Sequence, residues 1–236
     1  MGQSLTRDEL IGCLGDSCDP EDKAFLDIAF QSIVRHQRYL SFHYEQFKSA
    51  ASLHQMAMRG EVPEGGNEEP QFHRDIFEAN AFAFFRCLHA VIDSVPYILN
   101  LILGDLDREG RVTWGSVKKK LTVCGATDVI GAINKLDAMN EYKQLTKLVN
   151  ISKHRRLPRI DSGEFSEDRA PKFNSEELGE AQGKLNIDSF MHHCHDRLLP
   201  QSLEVLKSFC KFWRKKTAPN EQKEPESNSS KSPISS

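Results

Sequence analysis

The chain has 236 residues and a net charge of −3, from 31 Lys and Arg against 34 Asp and Glu. That length suits one large domain or two small ones, and the charge balance excludes bulk attraction to polyanions, so any nucleic-acid site must be a local cluster. An uncharged apolar run of about 18 residues, enough to cross a bilayer, is missing, so no membrane span is expected.

The N-terminus lacks the basic and apolar regions of a secretory signal. The six cysteines, Cys13, Cys18, Cys87, Cys124, Cys194 and Cys210, are scattered, which suits reduced thiols and a cytoplasmic location. Met1-Gly2-Gln3-Ser4-Leu5-Thr6 fits the short N-myristoylation pattern, one that arises readily by chance. Residues 1–20 carry Gly12, Gly15 and Pro20 and read as a lead-in segment.

Asp19-Pro20-Glu21-Asp22 is a helix start, with a capping Asp, a first-turn Pro and acids that complement the dipole. Leu26, Phe30, Ile33, Leu40, Phe47 and Ala51 then recur at helical spacing, and the helix is expected to reach about Met58. Residues 61–70 form a linker with two Gly and two Pro. A second long helix is expected from about His73 to Leu103. It is apolar on most faces, hence central, and Pro96 should kink or split it. A shorter helix follows over about 113–123. From Thr127 one helix is expected to continue to about Lys153–Arg156, stopping before Pro158.

Residues 158–184 read as irregular and polar, with room for a hairpin. The last helix is expected over about 185–215, bent at Pro200. Beyond Thr217 the composition cannot bury enough apolar area to order itself. The expectation is an all-α fold: a helical bundle of about four to five main helices, with a kinked central helix and a disordered C-terminal tail. Residues 21–216 are its domain and 217–236 its tail.

Three constellations could carry chemistry. Asn150-Ile151-Ser152-Lys153-His154-Arg155-Arg156 is the densest cationic stretch in a slightly acidic chain, and Arg159 follows. Asn150 and His154 share a helix face. Cations favour helix C-termini through the dipole. The same residues also suit a phosphate, because Arg offers a fork of donors and His moves protons near neutral pH. Arg86, His89 and Asp93 align on the central helix, where an ionised carboxylate needs a partner. The 150–156 cluster is the obvious one, as a buried ion pair. His192-His193-Cys194-His195-Asp196 invites a metal reading, but only His192 with His195 or Asp196 share a face, and no spaced ligand motif supports it. Neither metal nor cofactor is expected. Phosphate-binding glycine loops, the GxSxG elbow and the kinase signature set do not occur.

Phe84-Phe85-Arg86-Cys87-Leu88-His89-Ala90-Val91-Ile92-Asp93 and Leu148-Val149-Asn150-Ile151-Ser152-Lys153-His154-Arg155-Arg156-Leu157 resemble two signature helices of HEPN-like proteins. They are most similar to a bacterial branch that pairs an Asp on a central helix with an Asn-x-x-Lys-His-Arg stretch. The resemblance spans roughly residues 20–215 and implies a helical bundle, often dimeric. It also implies RNA binding or metal-independent RNA cleavage, in a defence or toxin–antitoxin setting. In active HEPN nucleases an Arg-x4–6-His motif cleaves RNA through the ribose 2′-OH. The resemblance assigns the His to His154 and the basic position to Lys147, which lacks the guanidinium fork. It assigns a catalytic place to Asp93 and phosphate contacts to Asn150, Lys153, Arg155 and Arg156. The rival reading is a non-catalytic helical interaction module, in which Asp93, His154 and Arg155 only hold helices together.

Overall fold

The chain enters its bundle through a short helix, α1 (Arg7–Ile11), in a computed structural model that describes residues 6–15, 19–104, 112–154, 156–174 and 184–217. Helix α1 is closed by a capping box: Thr6 accepts from the Glu9 amide, and the Glu9 carboxylate accepts from the Thr6 amide. A 3-10 turn over Gly12–Leu14 follows. Leu10 and Cys13 are buried, so part of the expected lead-in belongs to the core.

Helix α2 (Pro20–Met58) starts as expected, with the Asp19 carboxylate accepting from the Glu21 amide at 2.8 Å. Helix α3 (Pro70–Ile102) runs back along it. His54 meets the Pro70 carbonyl, Phe47 packs edge-on against Phe77, and His43 bonds Asn80. Helix α3 is long and apolar enough by composition to cross a membrane, but 56% of its most apolar window is buried inside the protein. That is the pattern of a central bundle helix. It continues through Pro96 without a split.

Helix α4 (Trp114–Cys124) begins at a Thr113 cap and ends at Gly125, whose φ of 73° suits glycine. The single helix expected from Thr127 is two: α5 (Thr127–Ala138) and α6 (Asn140–His154), parted by an extended Met139 with ψ 131°. The cause lies in the apolar spacing. Leu136 and Leu145 are both fully buried, yet residues 136 and 145 lie two and a half turns apart on a continuous helix of 3.6 residues per turn and would face opposite sides. The break lets both reach the core.

The stretch after α6 is a three-stranded antiparallel sheet in the order β1 (Ile160–Asp161), β2 (Lys172–Asn174), β3 (Lys184–Asn186). Ile160 pairs with Phe173, and Phe173 with Leu185. Phe173 is buried against Phe82 and Phe85 of α3 at 5.8 and 5.9 Å between ring centres, so the sheet covers one flank of the central helix.

The last expected helix begins as β3, continues as α7 (Ile187–His193) and passes through a π-helical turn over Cys194–Leu198 into α8 (Leu199–Thr217). In that turn the Leu199 amide donates to the Cys194 carbonyl, five residues back. Pro200 has no amide hydrogen to continue the ordinary ladder, so it sits in the first turn of α8. The fold is all-α in its main mass, a helical bundle with one small sheet. The tail beyond residue 217 and the Gly2 pattern lie outside the described residues.

Candidate nucleic-acid interface

Helix α6 carries two faces. Leu145, Leu148 and Val149 are buried, while Lys143, Lys147, Asn150 and His154 are exposed. Residues 143, 147, 150 and 154 follow the four-three-four spacing of one helix face. They form a continuous outward stripe of donors and cations that ends at the helix C-terminus. Lys153 is exposed beside it, and Arg156 and Arg159 are exposed on the segment that follows. Arg155 lies outside the described residues. Among the described residues, no ion pair engages Lys143, Lys147, Lys153 or His154.

The end of α6 is held by α3. Arg86 Nη2 donates to the carbonyl of Ser152 at 3.2 Å, placing a guanidinium at the end of the helix where the dipole favours it. The segment beyond is held more firmly. Arg74 Nη2 donates to the Ile160 carbonyl at 2.9 Å, and Gln55 Nε2 to the Ser162 carbonyl at 3.3 Å. Asp161 takes hydrogen bonds from Lys184 and from the Gly163 amide, which hold its carboxyl below the usual carboxylate range. Arg156 and Arg159 therefore sit between two fixed points.

Asp93 departs from expectation. The pattern of polar residues on α3 predicted a buried pair with the 150–156 cations. Instead its side chain is 56% exposed, and its close partner is His89 one turn back, with Nδ1 at 2.8 Å. An exposed carboxylate keeps its hydration and needs no buried cation. Asp93 does line an open groove of about 430 Å³ between α2 and α3, with Phe25 and Ile28 on one wall, Tyr97 on the other, and Lys153 at its edge. Asp93 and the α6 cations thus share a neighbourhood without a described bond. Lys147, Asn150 and His154 share one face of α6, and Asp93 adjoins the cluster through Lys153, which lines the same groove.

The histidines of residues 192–196 pair locally. Asp196 lies 3.1 Å from His192 Nε2 and is hydrogen-bonded to His195 Nδ1 at 2.7 Å, and the contact with His195 holds its carboxyl low. Among the described residues no group of three or more His, Cys, Asp or Glu is arranged to hold a metal ion. Sequence reasoning missed two parts of this surface. Lys143 shares the stripe, which the four-three-four spacing carries one turn further back. The contact of Arg86 with the end of α6 is the second: the polar row Arg86, His89 and Asp93 is plain in the sequence, but nothing local points Arg86 to α6.

No protein-family model, curated protein or solved structure matches the chain.

Proposed function

We propose that this chain binds RNA through the outward face of α6 and the basic segment after it, and that it belongs with the HEPN-like proteins its two motifs resemble. One observation carries the reading: Lys143, Lys147, Asn150 and His154 lie along one exposed helix face without a described carboxylate to neutralise them. Cations kept only to hold helices together would be buried or paired. Lys147, Lys153 and Arg156 take phosphates and Asn150 offers an amide. His154 would supply the proton-transfer group of a metal-independent cleavage at a ribose 2′-OH.

A second reading, a helical protein–protein interaction module, is favoured by Ile28, Tyr39 and Phe42, exposed along α2. Fluorescence anisotropy with a labelled single-stranded RNA separates the two. Binding should weaken linearly in log–log form with salt. A Lys143→Ala, Lys147→Ala double variant should flatten that slope by about 1.4, since each neutralised phosphate of a single strand contributes about 0.7. Absence of RNA binding by the unaltered protein sinks the reading. If the protein also cleaves, cleavage should persist in chelator, and His154→Ala should slow it on the order of 10²–10⁴-fold.

A further inference from the structure

The two ends of the described chain meet away from α6, at a pair of cysteines. Cys13, on the turn after α1, and Cys210, on α8, are both buried, and the two elements that carry them pack against each other. Independent contacts fasten the same spot. Cys13 Sγ lies 3.4 Å from the carbonyl oxygen of Glu9. Arg214 Nη2 donates to that oxygen at 2.9 Å, and Arg214 Nη1 lies 3.8 Å from the Glu9 carboxylate. Arg214 is one helical turn beyond Cys210, so its guanidinium sits beside the thiols.

We propose that Cys13 and Cys210 form a peroxide-reactive dithiol, a modification site at which a hydroperoxide joins the turn after α1 to α8 through a disulfide. Cys13 is the attacking sulfur. The neighbouring Cys210 thiol, and then the Arg214 guanidinium that shares the Glu9 carbonyl with Cys13, hold its thiol below the ordinary range against the effect of burial. The Cys13 side chain and burial push Cys210 up, which makes it the resolving thiol. Cys87 and Cys194 are pushed up chiefly by burial, which makes them poor nucleophiles.

The electrons balance in two steps. The Cys13 thiolate attacks one peroxide oxygen, the S–O bond forms, and the O–O bond breaks. The other oxygen leaves with a proton as alcohol or, from hydrogen peroxide, as water. Cys210 sulfur then attacks the Cys13 sulfenic acid. The S–S bond forms, the S–O bond breaks, and the hydroxyl leaves as water with the Cys210 proton. Two thiols are oxidised and one peroxide is reduced. Access comes from local opening of the short terminal helix, the kind of element that opens at low free-energy cost.

The test treats the full chain with hydrogen peroxide, alkylates remaining thiols under denaturing conditions and maps peptides by mass spectrometry. The expected product is a cross-linked peptide pair containing Cys13 and Cys210, separated again by dithiothreitol. Cys210→Ser should leave Cys13 as a sulfenic acid trapped by dimedone, with no cross-link. Arg214→Gln, checked for folding by circular dichroism, should slow Cys13 oxidation by about tenfold through loss of thiolate. Recovery of alkylated Cys13 and Cys210 under peroxide that oxidises Cys87 or Cys124 overturns the proposal. So does a cross-link from Cys13 to any other cysteine. An unchanged rate in Arg214→Gln overturns Cys13 as the activated sulfur. The wild-type map decides the matter even where the Cys210 variant does not fold.

Discussion

At the scale of single residues, the apolar positions were the most legible. The second long helix reads as apolar on most faces and central, and its Phe85 is buried and stacks on Phe190 at 4.9 Å between ring centres. Phe85 also touches Phe84 and Phe173, so Phe85→Ala should cost about 3–5 kcal/mol, read as a shift in urea midpoint without a change in slope. Polar residues were less legible, because their partners depend on tertiary placement. Asp93 shows why: a carboxylate on a mostly apolar helix suggested burial, but its turn of α3 opens toward solvent, and exposure removed the need for a distant partner. Asp161, passed over in the sequence, has the more consequential contacts. Lys184 and the Gly163 amide lower its folded value, so its contribution is fully present above the ordinary 3.8 and is lost as pH falls through the lower folded value. Urea midpoints of the wild type and Asp161→Asn should therefore differ at neutral pH and converge as pH falls through the lowered folded value. A difference that persists at the acid end would show that the carboxylate's charge is not the source.

Elements were legible where a cap or a turn residue marks them and obscure where a break is set by packing. Asp19-Pro20 placed the start of α2, and Thr113 that of α4. The capping box Thr6-Arg7-Asp8-Glu9 is equally plain in the sequence and was hidden only by the glycines that follow it. The Met139 break carries no Gly or Pro, and only the opposed phases of Leu136 and Leu145 betray it. The sheet after α6 is short and polar at its edges, so its alternation is too brief to register. One glycine there is a structural requirement. Gly163 has φ 81°, and a Cβ on it would lie 2.6 Å from the Ala170 carbonyl oxygen. Gly163→Ala should destabilise the protein by about 1–3 kcal/mol and loosen the β1–β2 connection. Gly131, inside α5, has open space where a Cβ would lie, with nothing within 4 Å, and should respond with the opposite sign. Gly131→Ala should stabilise by about 0.5–1 kcal/mol through helix propensity. Thermal melts of the two variants side by side test both signs, and equal losses would refute the backbone argument.

For the whole molecule, the decisive contact is between its ends. Periodicity alone confines the bundle to residues 21–216 and sets the first twenty aside, because a stretch with two glycines and no sustained period reads as a lead-in. The folded chain uses it as a clasp. Arg7 pairs with Asp27 of α2, Leu10 is fully buried in the common core, and Arg214 of α8 bonds the Glu9 carbonyl. Helix α1 is too short to be stable alone, so its order must come from these contacts, and they in turn cover the Cys210 end of α8. Two variants separate a clasp from an ornament. Leu10→Ala, which leaves the chain intact, should cost about 2–5 kcal/mol, the range for a buried Leu that leaves a cavity. Arg7→Ala removes an ion pair whose Arg is half-exposed and screened by solvent, and should cost far less than Leu10→Ala. Hydrogen exchange gives the spatial readout. In Leu10→Ala, amides near Cys210 should lose protection while those of α3 around Phe85 keep it, because the core helix is sealed from its other sides by α2, α7 and the sheet. Uniform loss of protection along the chain would mean that the ends are part of one cooperative unit with α3. No loss at all would mean that α1 rests on the bundle without holding it closed.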